Sequence, residues 1–136
     1  MKILVATAAL AGGALATGAA IAHHSFAAEF DRDKPVELTG IVTKVEWTNP
    51  HVWFYINVRD EESGEIVNWG AELGPPHGLQ RRGWRRDTLA IGEQVQVNGW
   101  LARNGSPRLN ARNVTMTSTG GAPGETLDAD SSANQE

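Results

Sequence analysis

Residues 51–73 read HVWFYINVRDEESGEIVNWGAEL. Val52, Phe54, Ile56 and Val58 alternate with Trp53, Tyr55 and Asn57. That two-residue period belongs to a strand with one face turned to a core. After the polar DEESGE loop, where Gly64 supplies the turn, Val67, Trp69, Ala71 and Leu73 repeat the pattern over a strand at 66–73. A lone hairpin hides neither its edges nor its apolar face, so its flanks decide the fold. Upstream, VELTGIVTKVEW at 36–47 alternates again and is rich in β-branched residues, with Gly40 marking a bend or a close backbone approach. Downstream, GPPHGLQRRGW opens on Pro75 and Pro76, which exclude a central strand and suit the first turn of a helix. A short helix is predicted over 76–83, ended by Gly83. QVQVNGWLA at 94–102 and RLNARNVTMT at 108–117 supply two more strands, with Val95 and Val97 inward. Three strands, a short helix and two strands is the order of an OB-fold barrel. The expected fold is all-β with one short helix: a small five-stranded antiparallel OB-like barrel over 36–117, closed to hide its edges. A small open sandwich is the alternative that element order leaves standing.

The 136 residues allow one such domain and little more. Residues 1–22, MKILVATAALAGGALATGAAIA, have one charge, an apolar middle and a small-residue end at Ala20-Ile21-Ala22. They read as a signal peptide cut after Ala22. A retained membrane anchor is the weaker reading, because Gly and Ala make the stretch only weakly apolar. The expectation is an exported protein, periplasmic or extracellular, with no stable membrane insertion after processing. Residues 23–35 read as an N-terminal arm whose Phe26 and Phe30 tuck onto the domain. Residues 118–136 offer little to bury and read as a disordered tail. The chain has no cysteine, so disulfides and thiol chemistry are excluded. A net charge of −4 argues against a nucleic-acid partner. No nucleophile elbow, phosphate loop or paired-carboxylate motif appears, no catalytic residue is assigned, and the chain does not read as an enzyme.

Residues 20–27, AIAHHSFA, hold two of the four histidines. Cleavage after Ala22 would make His23 the N-terminal residue, with its free amine and ring Nδ1 in chelating reach of one metal ion. A third nitrogen from a distant histidine would complete a set suited to copper, since tetragonal nitrogen sites favour Cu(II). A free α-amine near neutral pH gives up its proton readily to a metal. His51, in TNPHVW, is the distant candidate. His24 is a further one, although adjacent residues of an extended arm point opposite ways. A cut after Ile21 would give a different chelate but puts a bulky residue at the cleavage position. The plainer reading is an exposed His-His pair that binds metal loosely, with His51 facing solvent.

LQRRGWRR places Arg81, Arg82, Arg85 and Arg86 around Trp84. Guanidinium forks suit carboxylates and phosphates, and an indole offers a stacking face. This surface is a candidate for a small anionic ligand or a protein partner. The plainer alternative is that the arginines cap the helix and pair with Glu93, Asp87 or Glu72. Trp53 and Tyr55, on the outward face of the second strand, form a candidate ligand platform. Cover by Phe26 and Phe30 is the favoured alternative there.

AHHSFAAEFD, GIVTKVEWTNPHVWFYINV, ELGPPHGLQRRGW and GEQVQVNGWLARNGSPRLNARNV together resemble a family of small exported bacterial proteins of unknown function. The resemblance spans roughly 22–116, with hallmark matches at His23, His24, Ser25 and Phe26, at Asn49, Pro50 and His51, and at Arg82, Gly83 and Trp84. It implies an OB-like β-barrel outside the cytoplasm and supplies no activity. Family members need not carry a histidine at His77, which weakens that residue as a ligand.

Overall fold

The computed structural model describes residues 25–117 and 123–130. The signal-peptide reading of 1–22 and the candidate ligands His23 and His24 lie outside the described residues. In chain order the elements are α1 (Phe26–Glu29), β1 (Phe30–Glu46), β2 (Trp53–Arg59), β3 (Ile66–Glu72), α2 (Pro76–Arg81), β4 (Gln94–Ala102), β5 (Arg108–Thr117) and β6 (Pro123–Asp128).

The strands hydrogen-bond in the order β3-β2-β1-β4-β5-β6, and β3 also pairs with β5. The extra pairing closes five strands into a ring, so the fold is the small OB-like barrel that the element order predicts. β3 meets β5 in parallel, Gly70 opposite Arg108 and Glu72 opposite Asn110, while every other pairing is antiparallel. β1 is long enough to pair with β2 at one end and β4 at the other, and a bulge between Val42 and Lys44 helps it turn the corner. Gly40 sits at that corner. A Cβ there would lie 2.6 Å from the Asn57 carbonyl oxygen, so no larger residue lets β1 and β2 approach this closely.

The inward alternation fills the barrel. Val52, Phe54, Ile56, Ala71, Leu73, Val95, Val97, Leu109, Ala111 and Val114 are buried, with Leu79 of α2 and Trp84 closing one side. Burying each large side chain contributes about 1.5–3 kcal/mol, an upper estimate because unfolded chains already hide some surface. α2 starts with Pro76 at its first position and gives way at Arg82 to Gly83, whose φ of 95° suits a glycine after a helix end.

Three expectations need correction. The arm read at 23–35 carries regular structure where it is described: Phe26–Glu29 is a second short helix, and Phe30 onward belongs to β1. Phe26 and Phe30 are buried as expected, but Phe26 packs on Trp100 and Phe30 on Phe26, away from Trp53 and Tyr55. The tail is not structureless over 123–130. β6 adds to the free edge of β5, with Leu127 opposite Val114, and Ala129 is fully buried behind it.

Candidate functional site

Inward alternation on β2 and β3 fixes what lies outward. Trp53 pairs with Glu72 and Tyr55 with Gly70, so these four positions share the outer face of the barrel. His51 lies two residues before Trp53, after the cis Asn49–Pro50 peptide, and returns to the same face. There its Nδ1 contacts the Glu72 carboxylate directly. The pair is well sheltered, with side-chain exposure of 26% for His51 and 8% for Glu72. The hydrogen bond to Glu72 is the main reason that the imidazole keeps its proton above the usual histidine pKa. Burial opposes it, and the charges of Glu72 and Glu29 add to it. Glu29 closes α1, so the chain segment that follows His23 and His24 runs close enough to His51 for its charge to be felt.

A carboxylate on Nδ1 fixes the ring and its tautomer and leaves Nε2 as the outward nitrogen. Metal-bound histidines are commonly held this way. The described residues supply one imidazole with its orienting carboxylate. Among them no group of three or more His, Asp or Glu is gathered as a metal site. His77 is exposed on α2.

The arginine–tryptophan cluster is placed differently. Trp84 is 2% exposed, and its Nε1–H donates to the Asp128 carbonyl at 2.8 Å. Arg82 donates to the Asp130 carbonyl at 2.6 Å, with its guanidinium 3.8 Å from the Asp128 carboxylate. The Ala129 carbonyl, between them, accepts from the Gly74 N–H at 3.1 Å. Three successive carbonyls of the C-terminal segment are thus held from the α2 side of the barrel. The indole therefore offers no stacking face, and Arg82 reaches this segment rather than Glu93, Asp87 or Glu72. Arg81, Arg85 and Arg86 are exposed.

Trp53 and Tyr55 remain half-exposed. The Arg108 guanidinium lies 4.6 Å from the Trp53 ring centroid. The Tyr55 hydroxyl bonds Glu46 Oε2 at 3.2 Å, and Lys44 lies 5.5 Å from the Tyr55 ring centroid while also pairing with Glu46. Partial burial, reinforced by the Glu46 charge, holds the phenol above its usual pKa. The sequence singled out His51, Trp53 and Tyr55 but missed Glu72 as the partner of His51, and Arg108 altogether. The hairpin register was the available signal: with Arg59 opposite Ile66, Trp53 falls opposite Glu72.

A family model described as a family of unknown function (DUF6152) matches residues 12–110. A search of the curated proteins found no match.

Proposed function

Because the chain belongs to this family of unknown function, its role has to be read from its own side chains, and we propose that it is an exported protein that holds a copper ion rather than an enzyme. His51 would present Nε2 to the ion, and His23 would add its ring and, after cleavage behind Ala22, its free amine, with His24 a further donor. The observation that carries this reading is the Glu72 carboxylate seated on His51 Nδ1 in a sheltered position. That contact orients the ring and raises its basicity, as a metal ligand requires. The Glu29 charge felt at His51 supports it, because it sets α1 near His51. Nitrogen donors without thiolate or carboxylate clusters favour Cu(II) over calcium or magnesium.

The test is a Cu(II) titration of the exported, processed protein, with intact mass fixing its first residue. His51→Ala and a one-residue N-terminal extension should each weaken binding severely. Glu72→Gln should weaken it by about 10–100-fold through loss of orientation. Unchanged affinity in either His51→Ala or the extended chain would rule the site out.

A further inference from the structure

On the outer face, Lys44 of β1, Tyr55 of β2, Gly70 of β3 and Arg108 of β5 fall in one row across four strands. Gly70 is the flat point of that row. A Cβ there would come within 3.2 Å of Tyr55 Cε1 and 3.6 Å of the Trp53 ring, so any larger residue would lie on the aromatic surface. Its absence leaves an open groove of about 310 Å³, lined by Trp53, Tyr55, Asn68, Ser106 and Arg108 around Gly70.

We propose that this groove binds an acidic sugar, a uronate unit of a glycan, whose ring lies on Tyr55 over Gly70 while its carboxylate pairs with Arg108. The floor is aromatic and flat but not enclosed, which suits a pyranose better than an aliphatic chain: the sugar's C–H face rests on the negative face of an aromatic ring, and its hydroxyls stay at the wet rim. That rim is polar. The Asn68 amide nitrogen is spent on Thr43 and Asn57, at 3.1 and 2.9 Å, which leaves the carboxamide oxygen to accept a hydroxyl. The Ser106 hydroxyl donates to Asn104 at 2.7 Å and keeps its lone pairs.

Arg108 supplies the charge selection. It is exposed, and among the described residues its guanidinium joins no ion pair. The indole beneath it holds the planar fork in place, so little freedom is lost when a carboxylate docks. The net charge of −4 works against loose attraction of polyanions, so any preference for an acidic glycan has to come from a local cation such as this one. This site stands apart from the metal reading and needs no ion.

The test is calorimetric titration of the full processed chain, in the presence of a chelator, with trigalacturonate and with the neutral galactose trisaccharide of the same linkage. The acidic sugar should bind at least about tenfold more tightly, the effect of one charge-assisted hydrogen-bonded pair. Arg108→Gln should bring the two sugars to equal affinity without moving the thermal midpoint. Gly70→Val should abolish binding of both by covering Tyr55. Tyr55→Leu serves the same purpose if the valine variant does not fold. Equal affinity of the two sugars for the unaltered protein, no binding of either, or an acidic preference that survives Arg108→Gln would overturn the proposal.

Discussion

The described chain is laid against the barrel at both ends, and the two contacts differ in what they leave over. At the N-terminal end, Phe26 of α1 packs edge-on against Trp100 at 5.3 Å with Arg32 over its ring, and Arg103 donates to the Ala27 and Glu29 carbonyls. Close by, His51 and Glu72 face outward with an imidazole nitrogen to spare. At the C-terminal end, the polar groups that looked most like a binding surface, the Trp84 indole and Arg82, are spent on the main chain of residues 128–130. A side chain is available to a ligand only with the atoms that the fold has not already used. By that measure the His51 ring keeps a nitrogen unspent, while the Trp84 indole and the Arg82 guanidinium are engaged by the fold.

Trp84→Ala should break the contrast hardest. It empties a core position and strips the Asp128 carbonyl of its donor, so a loss of about 3–5 kcal/mol is expected in denaturant unfolding. Trp84→Phe keeps most of the volume and should cost about 1–3 kcal/mol for the unmade hydrogen bond. A loss below about 0.5 kcal/mol, the range of ordinary surface changes, would return the indole to the surface and reopen the ligand reading of the cluster. Phe26→Ala probes the other end and should cost about 2 kcal/mol, since it removes one buried ring from a peripheral cluster.

The same contrast explains what the sequence made legible. β4 and β5 were predicted at 94–102 and 108–117, where they lie, because a Gly- and Pro-bearing turn bounds two clear alternations. The inward set of β2 and β3 follows from period two, and the barrel from element order. β6 was illegible for a physical reason. PGETLD has no strand signature of its own, and what holds it is the free edge of β5 together with donors from Trp84 and Arg82, 44 and 46 residues before Asp128. Those donors recognise carbonyls, which every sequence offers. The site was half legible: residue type marks His51, but only strand register supplies Glu72, and only the parallel β3–β5 closure carries Arg108 to Trp53.

Arg82→Ala sharpens the comparison at smaller scale. Arg82 is partly exposed, with 28% of its side chain accessible, so its bond to the Asp130 carbonyl should contribute about 1 kcal/mol. The expected signature is local: faster amide exchange in β6 than in β4, with a small shift of the global midpoint. Arg81→Ala, Arg85→Ala and Arg86→Ala should each stay within about 0.5 kcal/mol of the parent. If Arg81→Ala matched Arg82→Ala, the division between the spent and the exposed arginines would be wrong.

The smallest effect is a slope. The Glu72 hydrogen bond lifts the folded pKa of His51 above its unfolded value of about 6.5. A raised pKa means that the folded state holds this proton more tightly than the unfolded chain. The stabilisation is therefore fully present below the unfolded pKa and is lost as pH rises through the folded one. For metal-free protein, the gap in urea midpoint between the parent and His51→Ala should be wider at about pH 5.5 than at about pH 9, on either side of that window. Glu72→Gln should flatten the dependence, because the neutral amide keeps a hydrogen-bond acceptor but loses the charge that favours imidazolium. A gap that widens with pH would mean that burial, which pulls the pKa down, outweighs the Glu72 contact. His51 would then sit as a neutral ring with its outward nitrogen unprotonated at lower pH, and copper binding would lose its expected competition with a proton.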